Sequence, residues 1–152
     1  MADYQDQWPI AAFHFEVEIE GETISFQEVS GLDQEAQVIE YRHGDSELFT
    51  TIKKAGLVKT SNLSLKKGVF ADDDRLIEMF QKIYEKDYYG DEDSRLDITV
   101  NLLDETGETV MTWNCHRCVP IKLTAPTMKS DDNNVAIESI EFAYEEITAA
   151  LG

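Results

Sequence analysis

Two cysteines stand three residues apart in Cys115-His116-Arg117-Cys118, the tightest grouping of reactive side chains in the sequence. A redox Cys-x-x-Cys normally opens a helix, whose positive end lowers the thiol pKa. This one closes a predicted strand and is followed by Pro120, so that setting is missing. A structural zinc site needs four ligands. Cys115, His116 and Cys118 offer three at most, and neighbouring strand residues point to opposite faces. The segment reads as ordinary strand and turn, with a labile disulfide or an adventitious metal as the alternatives.

The other candidates are weaker. Asp72, Asp73 and Asp74 lack the alternate spacing and glycine of a Ca²⁺ loop, and read instead as the acidic start of a helix. The three histidines are scattered. There is no Gly-x-Ser-x-Gly elbow, phosphate loop or His-Glu-x-x-His pair. Trp8, Tyr88, Tyr89 and Trp113 are not interleaved with basic residues, as a base-stacking platform would require. The expectation is therefore no catalytic residue, no metal and no cofactor: a protein that is not an enzyme.

The elements that would position side chains are mostly strands. Phe13, Phe15, Val17 and Ile19 alternate with His14, Glu16, Glu18 and Glu20, which predicts a half-buried strand with a comb of carboxylates on one face. The segment 22–32 alternates around Ile24 and Phe26, and 36–44 is a third short strand. Residues 57–68 contain a fourth, with Leu63 and Leu65 inward. Over 72–86 the period changes, and Leu76, Ile77, Phe80, Ile83 and Tyr84 form one apolar helical stripe. Strands resume at 95–104, with Leu96, Ile98, Val100 and Leu102 inward, then at 109–118 and 120–125 after a turn at 105–108. The last is a long strand over 135–147, with Ile140, Phe142 and Tyr144 on one face. The predicted fold is mainly β: a sandwich or barrel of about eight strands with one helix, in a single domain over 1–152.

The connection over 44–59 is longer than a hairpin loop. It carries Leu48, Phe49, Ile52, Leu57 and Val58, an apolar patch if left exposed, and Lys53, Lys54 and Lys59. It is expected to be an arm that meets other subunits, or else a local hairpin folding on its own domain. The helix presents Asp73, Asp74, Glu78 and Glu85 as an acidic face for a partner, or for solvent.

A net charge of −18 over 152 residues argues against phosphate-contacting nucleic-acid binding and against docking on anionic membrane. The sequence shows no signal peptide and no run of 18 apolar residues, so synthesis and folding in the cytoplasm are expected. Two cysteines are too few for a disulfide framework. Charge is segregated. Residues 1–41 hold ten acids and no Lys or Arg, whereas residues 48–71 hold five lysines and no acid. That pattern suits a surface that meets copies of itself.

FHFEVEIEG, FQEVSGLDQEAQVIEYRHG, SNLSLKKG, the helix, LDITVNLLDETGE and NNVAIESIEFAYEEI follow one another in an order that resembles the tail-tube proteins of contractile phages and contractile injection systems. The resemblance spans roughly residues 8–148, and the CHRC segment is not part of it. It implies hexameric rings stacked into a hollow tube inside a contractile sheath, with a ring-shaped β-barrel around the lumen. The implied partners are further copies of the chain, the sheath protein, baseplate or tube-initiator proteins, terminator proteins, and cargo in transit. The implied location is a phage tail or phage tail-like particle, released outside the cell in the latter case. Residues 48–59 would then make the inter-ring contacts and the helix carboxylates the sheath contact. Glu16, Glu18 and Glu20 would lie on the lumen or outer wall, where carboxylates repel phosphate. A type VI secretion tube protein is the close alternative, and a monomeric acidic β-sandwich that binds a basic partner is the distant one.

Overall fold

Apolar alternation dictates where the strands lie. The computed structural model of the chain describes residues 14–42, 44, 51–70, 73–85, 95–131 and 135–151. Among these it has ten strands and one helix: β1 Phe15–Ile19, β2 Glu22–Ile24, β3 Glu28–Ser30, β4 Gln34–Tyr41, β5 Ile52–Thr60, β6 Leu63–Gly68, α1 Arg75–Gln81, β7 Leu96–Leu103, β8 Thr109–Thr124, β9 Ile137–Ala143 and β10 Glu146–Leu151. The mainly β class with a single helix is as predicted.

Eight strands form one sheet in the order β2-β1-β7-β8-β9-β6-β3, with β10 also on β8. All its neighbours are antiparallel. β9 and β10 lie end to end along one edge of β8: Ala143 pairs with Val119 and Glu146 with His116. Val17 of β1 and Leu63 and Leu65 of β6, from opposite halves of the sheet, are fully buried in one core with Ile98, Ile140, Phe142 and the helical Leu76. The sheet therefore folds over on itself, yet no strand pairing joins β2 to β3, so within the described residues the barrel is not closed. β4 and β5 form a separate two-stranded sheet.

Several predicted boundaries move. The run 22–32 is two strands, because β2 pairs with β1 whereas β3 crosses to pair with β6. Phe26, at the crossing, packs on the core. The predicted strands 109–118 and 120–125 are one strand, β8, paired with β7 and β10 in its first part and with β9 in its second. The predicted strand 135–147 breaks at Tyr144 and Glu145, between β9 and β10. The loop expected over 44–59 is in part a strand: β5 starts at Ile52 and pairs with β4 from Tyr41–Ile52 down to Gln34–Thr60. The turn at 105–108 is where predicted. Asp104 Oδ1 accepts the Thr106 and Glu108 amides at 2.8 and 3.0 Å, and Gly107 takes φ +88.

The helix is shorter than predicted and its stripe is rotated. Leu76 is buried, Met79 and Ile83 pack on the core, and α1 lies against β8. Ile77 and Tyr84, predicted to face inward, are exposed. Asp74 makes no side-chain cap; Asp73 accepts the Arg75 amide at 3.2 Å instead.

Candidate assembly surfaces

The β4–β5 hairpin stands off the body. Every residue of β4 is exposed, and so are Ile52, Leu57 and Val58 on β5. The pairing places Ala36, Val38, Ala55 and Val58 on one face, and Ile39, Tyr41, Ile52 and Lys54 on the other. Lys53 stands opposite Glu40 and Lys59 opposite Glu35. A free two-stranded ribbon is marginal in water, and this one carries apolar side chains on both faces. Leu48 and Phe49 lie outside the described residues.

The roots of this arm are tied by one residue. Tyr144, almost fully buried at the β9–β10 break, donates its hydroxyl to the Gly31 carbonyl at 2.7 Å, and Thr60 Oγ1 donates to the Tyr144 carbonyl at 3.2 Å. Gly31 precedes β4 and Thr60 ends β5, so both strands of the arm are held there. Gly31 has φ +94, and a Cβ there would fall 1.8 Å from the Asn62 carbonyl oxygen. Only glycine fits this spot. Burial pushes the Tyr144 hydroxyl up to about 12.

A buried ion chain ties the helix to both ends of the sheet. Lys67, 1% exposed, places Nζ 3.0 Å from Asp73 Oδ2 and 3.2 Å from Glu138 Oε1. Its ammonium also lies 5.4 Å from the centre of the Phe70 ring. Arg75 grips Asp73 through Nε and Nη2, both at 2.8 Å, and reaches Glu22 on β2 at 3.0 Å. These Arg75 hydrogen bonds, aided by Lys67 and opposed by burial, hold the Asp73 carboxyl well below the usual carboxylate range. Asp73 thus departs from its expected place on the outer helix face. Asp74, Glu78 and Glu85 are exposed.

The carboxylate comb also divides. Glu16 and Glu18 lie on the outer face of the sheet, opposite Asn101 and Thr99. Glu20 has left the strand: it turns with φ +53 and accepts the Asp97 amide at 3.0 Å. Beyond Glu16 and Glu18 on that face run Thr99, Asn101, Thr112, Asn114 and Thr148, a neutral ladder that ends at the charged cluster of Asp97, His116 and Glu146. Thr99 donates to Asn114 at 2.8 Å and Thr112 to Asn101 at 2.9 Å. Sequence reasoning missed this ladder, although every second residue of TVN and TWN carries its signal.

Cys115 and Cys118 both point into the core, contrary to regular alternation. Arg117 takes φ +56, and β8 inserts one extra residue opposite Ile98 and Leu96. The thiols are unpaired, and Cys118 donates to the Cys115 carbonyl at 3.3 Å. Burial pushes Cys115 up to about 12 and Cys118 higher still, so neither is a reactive thiolate. CHRC is thus the bend of a long strand and not its end.

The family model of the T4-like virus tail tube protein gp19 matches residues 11–148. A chain of the sheath–tube complex of the PVC extracellular contractile injection system, in its extended state, is 30% identical, with TM-score 0.84 over 100% of this chain and 99% of that one. The tube-terminating cap of the anti-feeding prophage is 29% identical, with TM-score 0.82 over 96% and 93%. Hcp1 from Flavobacterium johnsoniae shares the fold alone, at 10% identity and TM-score 0.52 over 91% and 95%. No curated protein matches the sequence.

Proposed function

The chain belongs to the T4-like virus tail tube protein gp19 family, and from that premise we propose that it is the structural, non-enzymatic subunit of the inner tube of a contractile injection particle. Six copies close a ring, rings stack into a conduit for cargo, and a sheath surrounds the tube. Baseplate and terminator proteins cap its ends. The chain is made in the cytoplasm and leaves the cell within the particle. Among the described residues no helix is long and apolar enough to cross a membrane.

The observation that carries this reading is the β4–β5 arm. A body with a complete core holds out a hairpin whose apolar residues are covered by nothing of its own. Side chains such as Leu57 and Val38 find cover in a neighbouring copy. Lys53, Lys54 and Lys59 bring positive charge to a chain that otherwise repels its copies. The Thr/Asn ladder flanked by Glu16 and Glu18 suits the lumen wall, because it offers cargo neither apolar nor cationic holds. A monomeric binding module would need no such arm. The Hcp likeness, at 10% identity, favours the fold and not type VI secretion.

Native mass spectrometry and negative-stain imaging of the purified chain test this. Hexamers and stacked rings are expected. Monomers alone across concentration and salt overturn it.

A further inference from the structure

The arm is not alone in leaving apolar side chains uncovered. A second group lies on the body, where β6 ends beside the start of β9. Gly68, the last residue of β6, pairs with Ile137, the first of β9, and the next amide, that of Val69, donates to the Ala136 carbonyl at 2.9 Å. Around this rung Val69, Phe70, Val135 and Ile137 are all exposed, Phe70 at 64% and Val135 at 73%. Val135 leans over the strand end: a Cβ on Gly68 would lie 3.7 Å from its Cγ1. Met128, 86% exposed, lines one hollow with Val135 and Ile137. Lys129 lines it too, and exposed Asp131 follows two residues on, so the local charges offset each other. Apolar contact, not charge, decides what such a patch holds.

The position of the patch selects its occupant. The arm is rooted at the far end of the same two strands. β5 ends at Thr60, just before β6 begins at Leu63, and Tyr144, which ties the root, directly follows β9. Leu63 pairs with Phe142 at that end and Gly68 with Ile137 at the patch end, roughly 17 Å further along the strand. Within one copy the arm and the patch both stay exposed. Two unlike apolar surfaces at opposite ends of a molecule meet when copies are arranged head to tail, and a head-to-tail contact that does not close on itself repeats without limit. We propose that the patch of Val69, Phe70, Met128, Val135 and Ile137 is the socket that receives the β4–β5 arm of a copy in the adjacent ring. The inference rests on the tube reading above, and it makes the two ends of the tube unlike. One end presents arms without sockets, the other sockets without arms.

Two variants of the purified chain test this, both at exposed positions, so that circular dichroism stays unchanged. The socket variant is Met128→Lys/Val135→Lys and the arm variant is Leu57→Asp/Val58→Asp. Should the lysines disturb the fold, Met128→Ser/Val135→Ser replaces them in the same scheme. Each variant alone is expected to close rings and to lose stacking in negative-stain images. Preformed rings of the two, once mixed, are expected to form pairs and nothing longer. The intact arms of the socket variant enter the intact sockets of the arm variant, and both remaining ends are spoiled. Tubes of normal length from the socket variant overturn the proposal. So do mixed rings that stay single, because the arm would then seat elsewhere. So does a socket variant that no longer closes rings, because the patch would then be a contact within the ring. A wild-type chain that forms neither rings nor tubes defeats the tube reading instead.

Discussion

β6 and β5 are neighbours in the chain, both rich in lysine, and they meet opposite fates. In β6 burial alternates, Leu63 and Leu65 vanish into the core, and Lys67 follows them in with two carboxylates waiting. In β5 nearly every side chain faces water, and Leu57 and Val58 are as exposed as the lysines beside them. The body satisfies itself: among the described residues no buried side-chain polar atom lacks a partner. The arm is tied to the body at its root, through Thr60 and Tyr144, and leaves its apolar side chains exposed. Stability should therefore be concentrated in the body and assembly in the arm, and substitutions in the two regions should have separable consequences.

The largest effect belongs to Lys67→Ala. Removing the ammonium leaves Glu138 buried without its cation and Asp73 held by Arg75 alone, and breaking a buried pair costs about 3–5 kcal/mol. Urea unfolding should show that loss. A midpoint unchanged from wild type would show that the ion chain is not what holds the helix to the sheet. The chain also sets an acid limit. Because the folded pKa of Asp73 is depressed, its contribution is complete above the ordinary carboxylate value of about 4. It is lost only as pH falls towards the much lower folded value. Asp73→Asn should remove that acid-side loss and leave the arm's behaviour untouched.

How much of this contrast the sequence carries depends on where each side chain's partners lie. Alternation reveals Leu63, Leu65, Ile98 and Phe142 as core, because one face of each strand packs locally on the sheet. It misses β5, since IKKAGLVKT alternates with nothing: neither face of that strand meets its own domain. Lys67 reads as a surface lysine because its partners are Asp73, after a break in the strand, and Glu138, far along the chain. Apolarity alone sends Ile77 and Tyr84 to the core, although Met79 and Ile83 already fill that side. The shared face of the two cysteines hangs on a bulge at Arg117, a residue that carries no warning of a left-handed backbone. The family resemblance is legible for a structural reason. VSGL, NLSLKKG and AIESIEFAY are the segments that touch, through Gly31 with Asn62 and Tyr144 and through Lys67 with Glu138.

A middle-sized effect lies at the junction of the two regions. Tyr144→Phe removes the hydroxyl held by Gly31 and should cost about 1 kcal/mol, as a buried neutral hydrogen bond does. The same change alters the alkaline limit. A tyrosine whose folded value is raised from about 10 to about 12 favours the protonated form in the fold. Its contribution is full below pH 10 and lost as pH climbs through 12. The variant should lack this slope and retain the part due to Cys115 and Cys118, whose thiols are raised as well. Tyr144→Phe should also shorten tubes more than its stability loss explains, since both roots of the arm are tied there. Tubes of wild-type length would reduce Tyr144 to a packing residue.

The smallest effect on stability should accompany the most selective effect on assembly. Lys53→Glu/Lys54→Glu alters two exposed positions far from the root of the hairpin, so unfolding free energy should change by no more than about 0.5 kcal/mol. Assembly should suffer far more. The substitution reverses two of the arm's charges on a chain that already carries −18, and each is repeated around and along any tube of identical copies. One local explanation must be separated. Lys53 stands opposite Glu40, and a glutamate there would set like charges across the ribbon and loosen the hairpin itself. Combining Lys53→Glu with Glu40→Lys restores the cross-strand pair and keeps the arm's net charge unchanged. If assembly returns with this swap, hairpin integrity was what the double glutamate destroyed. If tubes stay short, position 53 must present a positive charge to a neighbouring copy. The Lys53→Glu/Lys54→Glu chain is the stricter test: tubes of normal length and normal salt resistance would mean that the arm's lysines take no part in stacking, and that the body, not the arm, holds the rings together.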